Sequence, residues 1–142
     1  MKLSDITDIA VSGLLAQRAR MATTASNLAN AETTRTKEGG PYRRRDPVFR
    51  SVGVGGPFAD RLGREIRKVE VAKVALDRRG FLTRYEPGHP DADKAGFVKL
   101  PRVNVVEETA NMMSASRSYQ ASLVILRKVR EMARAAMQIG RG

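Results

Sequence analysis

The residues with the widest chemical range lie close together: His89, Asp91 and Asp93, with Gly96 just behind them. This spacing copies the first half of a calcium loop, which takes oxygen ligands at its first, third and fifth positions, glycine at the sixth and a bidentate Glu at the twelfth. Here the fifth position is Ala95 and the twelfth is Arg102. The expectation is therefore a rigid turn whose carboxylates cap backbone amides. His89 is the single histidine, so a Ser-His-Asp triad would have to be built on it, yet no nucleophile elbow is present. Gly53, Gly55, Gly56 and Pro57 lack the lysine and the following helix of a phosphate cradle. The absence of cysteine excludes disulfides, thiolate chemistry and Cys-based zinc sites. The expectation is a protein that is not an enzyme and uses no cofactor.

The second candidate is electrostatic. Twenty-six basic residues against 15 acidic give a net charge of +11, with Arg43, Arg44 and Arg45 as a compact run. Such a chain attracts nucleic acid, anionic lipid or an acidic protein surface. The basic residues are nevertheless scattered: residues 33 to 50 hold six against two acidic, 60 to 84 eight against four, and 117 to 142 six against one. Only 5% of residues are aromatic, so no stacking ladder for single strands exists, and no compact three-helix pattern suggests groove docking. A basic nucleic-acid-binding or membrane-surface adaptor protein stays open as an alternative. The arginine run reads equally as a contact site or a solvated basic loop.

The elements that position these residues are read from periodicity. Leu14, Met21 and Leu28 recur every seven residues near one end, and Val105, Met112, Tyr119, Leu126 and Ala133 near the other. Residues seven apart share one side of a helix, so each end presents an apolar seam that needs a helical partner. The first helix runs from about Leu3 to Asn30, free of proline, with Asn27 and Asn30 placed to close it in a left-handed conformation. The second begins at Asn104 or Val105 and runs to about Ile139, stopped by Gly140; Glu107 and Glu108 at its start and arginines in its last third complement the helix dipole. Arg130 falls on the line of Leu123 and Met137, where an apolar residue would be easier to bury.

Between the helices, closely spaced glycines and prolines from 31 to 60 predict extended loop, with Val48 and Phe49 as either a short edge strand or a segment docked on the core. From Ile66 to Leu76 an alternation of Val69 and Val71 changes parity at Val74 and Leu76, so one extra residue near Ala72-Lys73 makes either a β-bulge or two short strands. Phe81 to Tyr85 and Phe97 to Leu100 complete one small antiparallel sheet. The fold class is thus α+β: two long terminal helices packed as an antiparallel coiled-coil-like pair, with a small antiparallel β insert and extended loop between them. The organisation is a discontinuous helical assembly domain of residues 1–30 plus 102–142, an extended loop of 31–60 and a small β domain of 61–101. No run approaches the roughly 18 apolar residues of a transmembrane segment, and Asp5 and Asp8 interrupt what would be a signal peptide.

Ala25-Ser26-Asn27-Leu28-Ala29-Asn30-Ala31 combines small residues, which admit a close backbone, with two amides that donate and accept. This segment resembles the N-terminal motif of the flagellar rod and hook axial proteins. Asn104, Val105, Glu107 and Glu108, with Asn111, Ser116, Arg117, Tyr119 and Gln120, resemble the same family's C-terminal motif. Tyr85 to Asp93, followed by Gly96, Phe97, Val98 and Pro101, is similar to the central segment of a short proximal-rod subfamily. The resemblance implies a structural subunit of the flagellar basal-body rod that spans the periplasm. It would pack with other rod proteins and copies of itself into a helical tube that transmits torque. It further implies export through the flagellar type III apparatus without a cleaved signal peptide, with no nucleic acid as partner and no metal at the Asp-rich loop.

Overall fold

The computed structural model describes residues 3–53 and 67–139, with side chains from 5 to 138. The chain order is α1 (Leu3–Ala29), β1 (Arg45–Gly53), β2 (Arg67–Leu76), β3 (Leu82–Tyr85), β4 (Phe97–Leu100) and α2 (Val105–Ile139). Both helices sit where the heptad lines place them; Gly140 and the boundary at residues 60 and 61 lie outside the described residues.

Helix α2 starts at Asn104, whose Oδ1 accepts from the amides of Val106 (3.0 Å) and Glu107 (3.3 Å), satisfying donors that have no partner inside a first turn. Helix α1 closes differently from expectation. Every described residue with positive φ is a glycine, so no asparagine among them adopts the left-handed cap. Instead the backbone amide and the side-chain Nδ2 of Asn30 both donate to the Ser26 carbonyl, at 3.1 and 2.9 Å. The side chain supplies a hydrogen bond that the left-handed turn would otherwise have made.

The helices run antiparallel. Asn27 lies against Glu108 and Arg20 against Asn111, so partners descend along α1 as they ascend along α2. Leu14 and Leu126 are buried, and Met21, Leu28, Met112, Tyr119 and Ala133 half-buried. The deepest positions of α2 lie on the complementary line, at Glu108, Ala115 and Val129. Alanine at the centre lets the helix axes approach closely, while each buried leucine contributes about 1.5–3 kcal/mol. Val105 is exposed, one turn outside the packed pair, and Arg130 is exposed too. Arg130 therefore needs no buried carboxylate, because the α1-facing surface follows Leu126 and Val129 and leaves residue 130 at its edge.

The β insert corrects the expected single sheet. It forms two antiparallel pairs, β1 with β2 and β3 with β4. The segment expected as extended loop contributes β1 as a nine-residue strand, with Pro47 accommodated opposite Val74. The parity switch in β2 is a bulge at the expected place: Val48 pairs with Lys73 and Phe49 with Val71, leaving Ala72 unpaired. The β1–β2 hairpin packs on α1, where Ser12 Oγ accepts from the Val69 amide at 3.1 Å. On β4 Val98 and Leu100 are buried, as are Tyr42 before β1 and Pro101 after β4.

Candidate functional site: a polar junction at the closed end of the helix pair

Asn27 sits at the end of α1 where the backbone must turn toward β1, and only 1% of it is exposed. Its Oδ1 accepts from the Arg45 amide (2.9 Å) and from the Tyr42 hydroxyl (3.0 Å). Its Nδ2 donates to the Arg45 carbonyl (2.9 Å) and to Glu108 Oε2 (3.0 Å). All four hydrogen-bonding positions of the amide are used. Toward Arg45 the side chain copies the donor and acceptor pair of a neighbouring strand, which ties β1 to α1.

Glu108, also 1% exposed, enters the same junction from the first turn of α2. Its Oε1 accepts from Arg44 Nε and Nη2, both at 2.7 Å. Arg44 reaches Asp46 as well through Nη1. Burial disfavours the Arg44 charge, but the hydrogen bond to Glu108 and the negative charges of Asp46, Glu108 and Glu107 outweigh it and hold its pKa above the ordinary value. A buried ion pair adds little net stability over an apolar pair, yet removing one partner strands the other at a cost of about 3–5 kcal/mol. The junction is therefore a polar lock in the sense that it ties α1, the Tyr42 to Asp46 strand entry and α2 to one another.

Around this lock the motif residues take distinct places. Ser26 Oγ lies 3.2 Å from the Tyr42 hydroxyl, and Asn30 Oδ1 accepts from Thr33 Oγ1 at 3.2 Å. Leu28 is half-buried, whereas Ala25 and Ala29 are exposed. On α2, Asn104 caps, Asn111 accepts from Arg20 Nη2 at 3.1 Å, and Ser116 and Tyr119 are half-buried. Glu107, Arg117 and Gln120 are exposed, so they stand outside the junction.

Within the arginine run only Arg44 is withdrawn from solvent, while Arg43 and Arg45 are exposed side chains with contacts inside the chain. Arg44 is the lock's cation; Arg43 donates to the Asp77 carbonyl (3.1 Å) and lies 4.6 Å from the Phe81 ring centroid; Arg45 lies over the Tyr42 ring at 5.6 Å. The neighbouring Asp77 carboxylate is held down to about 2 by the Arg79 side chain and backbone amide.

The His89 to Gly96 loop is likewise committed. Asp91 accepts from Thr34 Oγ1 (2.8 Å) and pairs with Arg35 (2.7 Å), and the Asp91 amide donates to His89 Nδ1 (3.0 Å). Asp93 Oδ1 accepts from the amides of Ala95 and Phe97, both at 2.9 Å. Gly96 has φ +83°, and a Cβ there would lie 2.8 Å from Tyr85 Cε2 and 3.2 Å from Pro87 Cβ. The carboxylates thus fasten this loop to the segment after α1 and close its own turn.

Sequence reasoning missed Tyr42, which is buried, and did not assign to the helix seam the deep α2 positions Ala115 and Val129. The last two could have been found by reading the second line of each heptad, three residues on from the first. Tyr42 carried only a weak signal, an isolated aromatic between Pro41 and the arginines.

Two helices joined at one end by a polar lock, with a hairpin insert, define the class. Residues 8–37 match the family model described as flagella basal body rod protein, and residues 94–139 the one described as flagellar basal body rod FlgEFG protein C-terminal. The chain is 41% identical to the flagellar basal-body rod protein FlgC of Salmonella typhimurium, covering 99% of each chain. It is 40% identical to the protein of that name from Borreliella burgdorferi, covering 100% of each, and 41% identical to that of Aquifex aeolicus, covering 87% and 86%. The chain belongs to the FlgC family of flagellar basal-body rod proteins.

Proposed function

We propose that this chain is a structural subunit of the proximal flagellar rod, packing with other rod proteins and with copies of itself into a helical tube that transmits torque. Residues 1–30 with 102–142 serve as its assembly domain, and the Asn27 to Glu108 lock fixes the angle at which the insert leaves the helices. The observation that carries this reading is the full-length similarity to FlgC rod proteins. Packing agrees with it, since the helix pair buries one thin seam and leaves other apolar positions open. The chain reaches its place through the flagellar type III export apparatus. It performs no catalysis and takes no nucleic acid as partner; the Arg44 pairing with the buried Glu108 withdraws one member of the arginine run from such a contact. Among the described residues no helix is long and apolar enough to cross a membrane.

Because the outer faces need partners, the isolated chain has mobile helix ends that order on assembly. The test of the function is complementation of cells lacking this chain. Wild type restores complete rods and swimming, and cells that build complete rods without it would refute the proposal. A gel-shift titration against duplex and single strands checks the nucleic-acid alternative, which predicts steeply salt-dependent binding.

A further inference from the structure

Two apolar surfaces, one on each long helix, are left exposed. On α1, Val11 and Leu15 are turned away from the seam and, with Val69 and Val71 of β2, line a groove of about 760 Å³. On α2, Val124, Ile125 and Met132 form a ridge turned away from α1, each more than half exposed. No α2 residue lines the groove, so within one copy the ridge does not fill it.

We propose that the α2 ridge of one copy seats in the α1–β2 groove of a second copy, so that successive copies join by unlike faces. The proposal rests on the rod-subunit reading and names its self-contact. Three observations fix the occupant. The groove and the ridge are different surfaces, so the contact is heterologous, the kind that joins successive copies into rings or helical arrays. On the groove wall Lys68 and Glu70 pair with each other, whereas Asp8 makes no ion pair among the described residues; Lys128 stands within the ridge beside Ile125 with only an exposed Glu131 partner. The heights also agree. With Asn27 beside Glu108 and Arg20 beside Asn111, the helix rise puts Asp8 at roughly the level of Ile125. A neighbour displaced sideways thus brings Lys128 to Asp8 and Val124 to Val11.

The chain contains no cysteine, so paired cysteines report the contact without background. Val11→Cys and Val124→Cys are introduced in separate full-length copies, one tagged, in cells whose rods are then isolated and oxidised. Mixed dimers carrying one of each copy are the expected product, since a disulfide needs Cα atoms within roughly 7 Å. Assembled rods that yield only Val11→Cys homodimers, or no mixed dimer, would overturn the proposal. Asp8→Lys should lower the mixed dimer about fivefold, the effect of one partly exposed ion pair, and adding Lys128→Asp should restore it. Loss without restoration counts against the pairing. Complete rods in cells lacking the chain would instead refute the rod-subunit reading, which keeps the two failures distinct.

Discussion

Replacing Asn27 by aspartate preserves shape and removes two donors from the lock. The Arg45 carbonyl then loses its side-chain partner, and a second carboxylate stands about 3.0 Å from Glu108 Oε2. At an effective dielectric near 20, two charges at that distance repel by roughly 5 kcal/mol. The variant has a cheaper escape. Protonating the introduced carboxylate at pH 7 costs about 4 kcal/mol from a reference pKa near 3.9, and the protonated carboxyl can donate to Glu108. The unpaired Arg45 carbonyl adds about 1–3 kcal/mol. The expected loss at pH 7 is therefore about 5 kcal/mol, a melting temperature lower by more than about 10 °C for a chain of this size.

Acidification to pH 5 should return roughly 2.7 kcal/mol of it, since each pH unit is worth about 1.36 kcal/mol to a group held protonated. Asn27→Asp with Glu108→Gln keeps one negative charge and restores a donor between the two positions, so it should abolish the pH dependence between 5 and 7, while the lost Arg44 ion pair keeps its stability below wild type. Urea unfolding followed by circular dichroism at pH 7 and pH 5 makes the measurement. An Asn27→Asp protein with the wild-type midpoint, or one indifferent to pH between 5 and 7, would refute the lock.

Other outcomes follow from the same geometry. Gly96→Ala should cost about 1–2 kcal/mol, because the left-handed backbone and the Tyr85 and Pro87 contacts both oppose a Cβ; loss of amide protection in Tyr85 and Phe97 reads it. Gln17 Oε1 is buried without a hydrogen-bond partner, so Gln17→Leu should stabilise the isolated chain by about 1 kcal/mol in urea. Asp77 has a depressed folded pKa, so its contribution is complete above the ordinary value of 3.8 and is lost as pH falls through about 2. A carbon-detected NMR titration should find its carboxylate still ionised at about pH 3, between those two values, and Asp77→Asn should flatten stability over that window. Hydrogen exchange on the isolated chain should protect the Arg45 amide while the outer turns of both helices exchange quickly; strong protection there would contradict ordering on assembly.

The helices were legible because their heptad lines run unbroken by proline, and the bulge because one extra residue reverses strand parity in β2. The full extent of β1 was hidden by Pro47 and the nearby glycines, which local rules read as loop. A two-stranded pair tolerates that proline because its missing donor need not break a wider ladder. Arg44 was illegible for a different reason. Its partner Glu108 is 64 residues away, so nothing in the run Arg43-Arg44-Arg45 separates the buried member from its neighbours. Asn27 stood out by type and by family resemblance, but its four hydrogen bonds reach segments that only the folded chain assembles.

The central claim is that this chain builds the rod. Electron microscopy of basal bodies from cells lacking it measures this most directly, with wild type and the Val124→Asp variant supplied in turn. Rods should be absent or stop short without the chain, return with wild type, and fail with Val124→Asp, whose charge would sit in the subunit contact. Rods of normal length and form in the cells that lack the chain would contradict the account.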